Sequence, residues 1–481
     1  MSRKKQKELE VDLEITDWTK DGFGLSQYVN ECGHMSEVEV PYAIPGEYVR
    51  VLLQKKRRRR FRSRLLNILK PSNKRTKAHC IHFTSCGGCR WQHLSYEAQL
   101  ELKQVSIAEI FAPFLQERNL SVSPMIACDP PWNYRNKMDF SFTEDASKQQ
   151  FLGLMLFGKF GRAFNLTECH LASSWCLKAL NVVRKWWKES TLRAYHYRRN
   201  EGSLRTLTLR EGRDSKECMV ILTVSGNPEY ALSKEHVDTF VQSLRLALEE
   251  EGDPSIKISI FIRIHFIKKG QESKFYEWRV YGEEFLREKL SVLDKEFIFQ
   301  VSPTAFFQPN TKQAEKLYSL ALDLAKLSSN DVVFDLYCGT GTLGILAAQR
   351  VKRVFSIELS PESSLDAREN IKGNNIENMT VITGDVGKIL ASLKEEVSFE
   401  RPQLVMIDPP RQGLDKQAIR CILSLLPKKI LYISCNPVTQ ACNVKDFIEG
   451  GYIVCAVQPV DQFPHTIHVE NIVLLSLNEV K

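Results

Sequence analysis

The residue best placed for covalent chemistry in this sequence is Cys435, which follows an apolar run at 429–434 that predicts a β-strand. In open α/β sheets, ligands bind at the carboxyl ends of the strands. A thiolate at such a place is a candidate covalent nucleophile. Taken alone, a cysteine in this position is more often a buried apolar residue, so its role depends on its companions.

Covalent catalysis by a thiolate also needs a general base, and the carboxylate of Glu470 is the candidate. Thiolate addition at carbon 6 of uracil turns carbon 5 into an enolate that can attack a methyl group. A base must then remove the proton on carbon 5 so that the thiolate can leave. Cys435 and Glu470 fit these two roles. For the nearby His465 and His468 we expect structural or RNA-contacting roles.

A glycine-rich loop at 339–344 follows a predicted strand at 332–336. Its G-x-G-x-x-G spacing lets the backbone approach a cofactor, and an acid about 20 residues on, here Glu358, can grip ribose hydroxyls. Asp385 and Asp408 follow the next predicted strands and make this rim acidic. Such a rim repels a pyrophosphate and favours the sulfonium, amine and ribose of S-adenosylmethionine. Each acid alone is more often a helix cap.

Two prolines directly after Asp408, in the segment 408–411, predict a stiff, extended loop. A stiff loop beside the cofactor suits the positioning of a flat base. The alternative is a plain proline turn.

A cluster of three cysteines, Cys80, Cys86 and Cys89, points to a metal site. Three clustered thiols and a remote one can hold a 4Fe-4S cluster, and a structural zinc site is the alternative. The spacing leaves three candidates for the fourth ligand: Cys128, Cys169 and Cys176.

The totals describe an ordinary globular protein of 481 residues, with 43% apolar and 26% charged residues. This length predicts two or three domains. No apolar run approaches the roughly 18 residues needed to span a bilayer, and the basic N-terminus lacks the apolar part of a signal peptide. We therefore expect a cytoplasmic protein without a membrane partner, in which the 13 cysteines are ligands, nucleophiles or core residues rather than disulfides.

Positive charge is concentrated at the start of the chain. The first 80 residues contain 18 Lys and Arg against 10 Asp and Glu, which equals the net charge of +8 of the whole protein. The densest run, 55–64, lies inside a strand-rich module, which favours a phosphate-binding patch. The alternatives are a solvated loop or a localisation signal.

Three domains are predicted from the pattern of elements. Short alternating strands broken by Gly and Pro indicate an OB-like, nucleic-acid-binding β-barrel in residues 1–70. Residues 71–300 hold the cysteine cluster, a helix at 96–114 and a mixed α+β region. Strands alternate with helices in residues 301–481, which predicts a doubly wound parallel sheet with a closing hairpin.

With these motifs the chain resembles the RNA uracil-5 methyltransferase family, and is similar to its bacterial 23S rRNA members, which begin with a TRAM domain. The resemblance covers nearly the whole length. It is carried by the segments 86–89, 134–137, 306–310, 434–437 and 463–470.

The resemblance implies a role for each matching residue. Cys435 would be the nucleophile and Glu470 the base. The implied S-adenosylmethionine contacts are Gln308, Tyr337, Thr342, Glu358, Asp385 and Asp408. The implied 4Fe-4S ligands are Cys80, Cys86, Cys89 and Cys169, with a structural or RNA-positioning role for the cluster.

The sequence also departs from the family pattern. The usual Ala-Thr-Leu-Ala-Arg-Asp is replaced by residues 438–443, and a usual Met is replaced by Gln462. These residues flank the target pocket. The asparagine often found at the position of Thr342 is missing, and Asp385 is a looser match.

We therefore hypothesise a monomeric enzyme that methylates a uridine of 23S rRNA at carbon 5, a step of rRNA processing, on a base flipped out of its stack. The same chemistry on tRNA is one alternative. Another is an RNA-binding iron–sulfur protein with an inactive methyltransferase fold. A NAD-dependent oxidoreductase is disfavoured by the acidic rim and by the lack of a hydride-transfer constellation.

Overall fold

The computed structural model of the protein describes residues 9–57, 60–116, 119–267, 273–393 and 400–478. The chain forms two compact units. The first contains residues 1–103, 156–158 and 463–467, and the second contains the remainder. The predicted division at residues 70 and 300 remains a prediction. None of the described helices is long and apolar enough to cross a bilayer.

The first unit is built on a six-stranded sheet of order β1-β5-β6-β4-β3-β2. Alternating residues such as Val38, Val49 and Val51 point inward and form its core. The strands are β1 (Leu9–Glu14), β2 (Asp17–Trp18), β3 (Gly24–Val29), β4 (Met35–Val40), β5 (Tyr48–Arg57) and β6 (Arg60–Lys70). Residues 58–59 of the predicted phosphate-binding run lie outside the described residues, whereas Arg62 and Arg64 are exposed on β6.

The helix predicted at 96–114 is observed as α1 (Tyr96–Leu115). The second unit then forms a six-stranded sheet of order β12-β11-β10-β9-β7-β8 and a two-stranded hairpin. Its elements are β7 (Lys137–Glu144), β8 (Gln150–Gly153), α2 (Ser174–Glu189), β9 (Leu204–Glu211), β10 (Glu217–Ser225), α3 (Lys234–Arg245), β11 (Lys257–Phe266), β12 (Lys274–Tyr281), β13 (Leu286–Val292) and β14 (Lys295–Val301).

A seven-stranded sheet of order β17-β16-β15-β18-β19-β21-β20 follows in the same unit. Its elements are α4 (Thr311–Ala325), β15 (Val332–Leu336), α5 (Thr342–Ala348), β16 (Arg353–Glu358), α6 (Pro361–Gly373), β17 (Met379–Thr383), α7 (Val386–Leu393), β18 (Leu404–Ile407), α8 (Lys416–Leu425), β19 (Lys429–Ser434), α9 (Pro437–Glu449), β20 (Tyr452–Val460) and β21 (Glu470–Leu477). β21 runs antiparallel to its neighbours β19 and β20, and the other described pairs of this sheet are parallel. The predicted doubly wound sheet with a closing hairpin is confirmed.

Strand order reverses between β15 and β18, which is where doubly wound sheets bind their ligands. Side chains alternate between the two faces of each strand. Val333, Met406 and Ile472 pack on the same face as α4, while their neighbours Phe334, Val405 and Val473 belong to the opposite core. The same alternation places three carboxylates on the α4 face at this end of the sheet: Asp335, Asp408 and Glu470.

Candidate active site

The glycine loop after β15 uses backbone conformations that favour glycine. Gly339 and Gly341 have φ angles of 55° and 79°, in the left-handed region that favours glycine. A Cβ atom on Gly344 would lie 2.6 Å from Oδ2 of Asp335, so this glycine lets α5 pack closely against β15. The loop can therefore bring its main chain close to a ligand.

Glu358, at the end of β16, holds this loop in place. Its Oε2 accepts a hydrogen bond from the Gly339 amide at 3.0 Å, and its Oε1 accepts one from the Ser360 amide at 2.8 Å. Nearby, the Thr342 and Thr340 hydroxyls lie 3.0 Å apart in a buried position. Glu358 and Thr342, both predicted cofactor contacts, are thus hydrogen-bonded to Gly339 and Thr340 of the glycine loop.

Tyr337 begins the loop with a φ angle of 64°. Burial, followed by the negative charges of Asp415 and Asp385, raises the pKa of its phenol to about 12. The ring is half-buried and packs against the core on the far side of the sheet. It therefore offers a neutral hydrogen-bonding group at neutral pH.

Asp385 follows β17 and is exposed. Its Oδ1 accepts a hydrogen bond from the Lys388 amide at 3.0 Å in the first turn of α7. The capping role that any isolated acid could have is therefore present at this position.

The carboxyl groups of Asp335 and Asp408, on the α4 face, both have a raised pKa. Burial, followed by the charge of Asp408, raises the pKa of Asp335 to about 8. Burial also raises the pKa of Asp408 to about 7. Desolvation disfavours the charged form of both groups, so a cation that enters here would favour their ionisation.

The loop after Asp408 is fastened to the start of α9. The Arg411 carbonyl accepts hydrogen bonds from Asn436 Nδ2 at 2.9 Å and Thr439 Oγ1 at 3.2 Å. Within the loop, the Gly413 amide donates to the Pro410 carbonyl at 2.8 Å. The predicted stiff loop is therefore held beside the candidate nucleophile.

Cys435 lies half-buried between β19 and α9. Burial raises the pKa of its thiol, the charges of Glu470 and Asp408 add to this effect, and the Arg411 guanidinium opposes it. Glu470, Asp408 and Arg411 therefore all influence the ionisation of the nucleophile. Arg411 supplies the positive charge that favours a thiolate.

Glu470 begins β21 and is only 3% exposed. Burial, followed by the charge of Asp408, raises the pKa of its carboxyl well above the usual range, and Arg411 opposes the shift. Its Oε2 has no hydrogen-bond partner within the described part of the chain. A desolvated carboxylate of raised pKa is a strong base, so Glu470 suits proton removal from carbon.

A buried amide pair connects the segments that contain these two residues. Gln440 Nε2 donates to the Tyr432 carbonyl at 2.9 Å and to the Asn471 carbonyl at 3.0 Å. Asn471 Nδ2 returns a bond of 2.8 Å to Gln440 Oε1. The helix that follows Cys435 is thereby joined to the strand that begins at Glu470.

The comparisons with known proteins agree with this geometry. The family model described as tRNA (uracil-5-)-methyltransferase matches residues 255–478. An uncharacterized RNA methyltransferase of Protochlamydia amoebophila is 51% identical over 92% of this chain and 100% of its own length. The chain belongs to the RNA uracil-5-methyltransferase family. It is an RNA methyltransferase.

Other similar proteins extend the same comparison. An uncharacterized RNA methyltransferase of Chlamydia trachomatis is 36% identical, covering 82% of this chain and 98% of its own. The crystal structure of the Pyrococcus abyssi tRNA (uracil-54, C5)-methyltransferase, in complex with S-adenosyl-L-homocysteine, is similar with a TM-score of 0.71. It has 24% identity and covers 97% of this chain and 100% of its own. That likeness shows the methyltransferase fold.

The site of this methyltransferase also contains residues to which the sequence assigned no role. Asp335 lies on β15 just before the glycine loop, and Arg411 ends the proline loop. The sequence motifs did not indicate a function for either residue. Tyr318 of α4 packs on the face that bears the acids, and its phenol is electrostatically influenced by Asp408, Glu470 and Asp335. In the sequence, Tyr318 is only an aromatic residue on the apolar face of a helix, and such a residue more often indicates core packing than a role in a site.

His465 lies in a buried, hydrogen-bonded position within the first unit. It is 3% exposed. Its amide donates to Gln99 Oε1 at 2.9 Å, and its carbonyl accepts from the Arg90 amide at 2.8 Å. Its main chain therefore helps to hold this segment, and the choice between a structural and an RNA-contacting role of the side chain remains a prediction.

The candidate metal ligands of the methyltransferase are divided between the units. Cys80, Cys86 and Cys89 belong to the first and Cys169 to the second. The Gly88 amide donates to Cys86 Sγ at 3.3 Å. Within the described ranges, no group of three or more His, Cys, Asp or Glu residues is arranged to hold a metal ion. The 4Fe-4S cluster therefore remains a prediction from the cysteine motif, and no reaction step is derived from one.

Proposed function

We propose that this enzyme uses S-adenosylmethionine to methylate carbon 5 of a uridine in RNA, with Cys435 as nucleophile and Glu470 as base. The observation that carries the proposal is the pairing of Ser434 with Asn471 between β19 and β21, because it brings the adjoining residues Cys435 and Glu470 to the same end of the sheet. A half-buried thiol and a buried carboxyl at one end of a sheet are the pair that the chemistry requires.

The reaction follows from these two groups. As a thiolate, Cys435 adds through Sγ to carbon 6 of the uracil, breaks the 5,6 double bond and moves its electron pair towards carbon 5 and the carbon 4 carbonyl oxygen. S-adenosylmethionine, when bound, would supply the methyl group to carbon 5 and would leave as S-adenosyl-L-homocysteine. As a carboxylate, Glu470 removes the proton from carbon 5. The freed electron pair restores the 5,6 double bond and expels Sγ.

The cofactor site is proposed at the carboxyl ends of β15, β16 and β18. Support comes from the glycine loop and from the carboxyl groups of raised pKa, whose ionised forms a sulfonium would favour. The proposed contacts are Gln308, Tyr337, Thr342, Glu358, Asp385 and Asp408.

Two substitutions test the mechanism. Cys435→Ala removes the nucleophile, so methylation should cease while S-adenosyl-L-homocysteine still binds. Glu470→Gln leaves the nucleophile but removes the base, so a covalent RNA–protein adduct should accumulate on denaturing gels. Turnover by the Cys435 variant, or the absence of any adduct with the Glu470 variant, would contradict the assigned roles.

We propose 23S rRNA as the substrate, because a strand-rich N-terminal module with a basic surface resembles the TRAM domain of rRNA enzymes. The names of the matching family model and of the similar crystal structure favour tRNA instead. Mass spectrometry of nucleosides from rRNA and tRNA of a deletion strain and its complemented parent decides between them. Loss of 5-methyluridine from 23S rRNA supports the proposal, and loss from tRNA alone replaces the substrate.

A 4Fe-4S cluster bound by Cys80, Cys86, Cys89 and Cys169 is a proposal that rests on the cysteine motif. Anaerobically purified protein should contain about four iron and four acid-labile sulfide per chain, and Cys89→Ser should lose them. One zinc and no iron would identify a structural zinc site.

A further inference from the structure

Gln462 is a fully buried polar residue for which the mechanism has no use. It has 0% exposure, and Gln308 retains 3%. Gln462 Nε2 donates to Gln308 Oε1 at 3.2 Å and to the main-chain carbonyl of Asn310 at 3.2 Å. Asn310 Nδ2 returns a bond of 3.2 Å to the Gln462 carbonyl. The two glutamines are thus held in one hydrogen-bonded group.

This group determines the orientation of both amides. The two ends of a glutamine amide are told apart only by their hydrogen-bond partners. The Asn310 carbonyl can only accept, so the end of Gln462 that faces it must be the NH2 group. Gln308 must therefore present its oxygen to Gln462. Its own NH2 group points away, and none of the described residues accepts a hydrogen bond from it.

The arrangement leaves an unsatisfied acceptor behind. Gln462 Oε1 is buried and has no partner within the described ranges. An unpaired buried acceptor destabilises a fold, and a methionine, the usual residue of the family pattern, would fill a similar volume without that cost. The glutamine differs from methionine in having an NH2 group that can hold Gln308.

The pair lies at the reactive end of the sheet. Val460, two residues before Gln462, pairs directly with Glu470 between β20 and β21, and it packs on the α4 face. Gln308 lies two residues before Asn310, the N-cap of α4. Both glutamines therefore reach the site from segments next to the proposed base.

We propose that Gln462 is a positioning residue that fixes Gln308 as a hydrogen-bond donor towards the bound ligand. The proposal rests on the proposed function, because it deepens the role of Gln308 in that site. A fixed NH2 group requires a hydrogen-bond acceptor on the ligand. We assign this acceptor to the carboxylate of the cofactor or to a carbonyl oxygen of the target uracil, which the experiments below distinguish.

Two variants separate positioning from packing. Gln462→Met fills a similar volume and frees the amide of Gln308 to rotate. Gln462→Glu can only accept when ionised, so it should turn Gln308 around and present an oxygen to the ligand. The expected order of activity is parent, then Gln462→Met, then Gln462→Glu. Thermal unfolding of each variant shows whether the fold is retained.

Calorimetric titration with S-adenosyl-L-homocysteine and steady-state kinetics on RNA identify the accepting oxygen. If it belongs to the cofactor, the Kd for S-adenosyl-L-homocysteine should rise roughly tenfold or more in Gln462→Glu, with the KM for RNA unchanged. If it belongs to the uracil, that Kd should stay constant while kcat/KM for RNA falls by a similar factor. Either result supports the proposal.

A double-mutant cycle supplies the decisive comparison. In a Gln308→Ala background, Gln462→Met should have no further effect, because Gln462 acts only through Gln308. The matched control is Gln458→Met, which changes a buried glutamine of β20 whose Nε2 donates to the Pro124 carbonyl at 2.8 Å and should keep the parent Kd and kcat/KM.

Additive effects in the cycle, or parent-like Kd and kinetics in both Gln462 variants, would overturn the proposal. A parent protein that binds S-adenosyl-L-homocysteine but leaves uridine unmethylated would contradict the proposed function instead. The titration arm would then still decide the role of Gln462.

Discussion

Arg411 is the positive charge that acts on both reacting side chains. It lowers the pKa of the Cys435 thiol and of the Glu470 carboxyl, while burial raises both. The deprotonated forms of these two groups do the chemistry. Activity should therefore rise with pH, and Arg411 should move that rise to lower pH.

Replacing Arg411 with glutamine should shift the pH profile of kcat/KM to higher pH. Without this positive charge a smaller fraction of the thiol and of the carboxyl is ionised at neutral pH, so the rate at pH 7 should fall by roughly tenfold. The loss should largely disappear at alkaline pH, where both groups ionise without help. The measurement is single-turnover methylation of an RNA fragment between pH 6 and 9.

Arg411→Lys keeps the charge and should retain most of the parent profile. Arg420→Gln removes an exposed arginine from α8 and is the matched control. If the profile of the Arg411→Gln variant is lower at every pH but not displaced, Arg411 orients the substrate and has no effect on ionisation.

At the scale of elements, the junction of β19, α9 and β21 positions the nucleophile relative to the base. Gln440 cross-links these elements. Its side chain bonds to the main-chain carbonyl of Tyr432, and to both the main-chain carbonyl and the side-chain amide of Asn471. Both side chains of this amide pair are 0% exposed. Hydrogen bonds in a buried position of this kind are costly to break because water does not replace them.

Gln440→Leu, which restores the usual residue of the family pattern, should therefore destabilise the protein. It leaves two carbonyls and the Asn471 amide without their partner, at about 1–3 kcal/mol for each unsatisfied group before relaxation. Denaturant unfolding should show a loss of at least ~2 kcal/mol. Adduct formation by Cys435 should also slow, because its position relative to Glu470 is less well fixed.

The control for this junction is Cys442→Ala. Cys442 also departs from the family pattern but is exposed on α9, so its effect on unfolding should stay within about 0.5 kcal/mol. A Gln440→Leu protein as stable as the parent would mean that neighbouring apolar groups close over the freed carbonyls.

At the scale of the whole molecule, the uneven distribution of charge bears on RNA binding. The net positive charge is equal to that of the first 80 residues, and the described part of this segment exposes Arg62 and Arg64 on the same face of β6. Contacts between such side chains and phosphates release counterions from RNA. The dependence of affinity on salt therefore measures how many of them take part.

The double variant Arg62→Gln/Arg64→Gln should bind substrate RNA more weakly and with a shallower salt dependence. For single-stranded RNA the slope of log K against log salt should fall by about 0.7 for each lost phosphate contact. Fluorescence anisotropy measured over a range of salt concentrations gives this slope.

Arg50→Gln is the comparison within the same sheet. Arg50 is exposed, but its Nε lies 2.7 Å from Asp12 Oδ1 in an ion pair, so its charge is already neutralised and the slope should change little. Equal slopes for the parent and the double variant would show that β6 does not contact phosphates.

Several features of the catalytic sheet followed from local sequence alone. The glycine spacing predicted a loop whose backbone can approach a cofactor, and apolar runs predicted strands ending near Asp335, Glu358 and Cys435. These inferences hold because strand alternation and glycine conformations depend on residues that are close in the chain. The same reasoning predicted the doubly wound order of elements.

The pairing of distant residues was decided only by the tertiary structure. Nothing in the local pattern shows that Gln308 would bond to Gln462, that Asn436 would hold the Arg411 carbonyl, or that Asp335 would share a sheet face with Glu470. Such contacts join segments that meet only after the sheet has assembled, and burial then sets their proton affinities. The sequence alone thus determined which residues can react. The assembled sheet decided which of these residues lie together and whether burial and neighbouring charges favour their ionised forms.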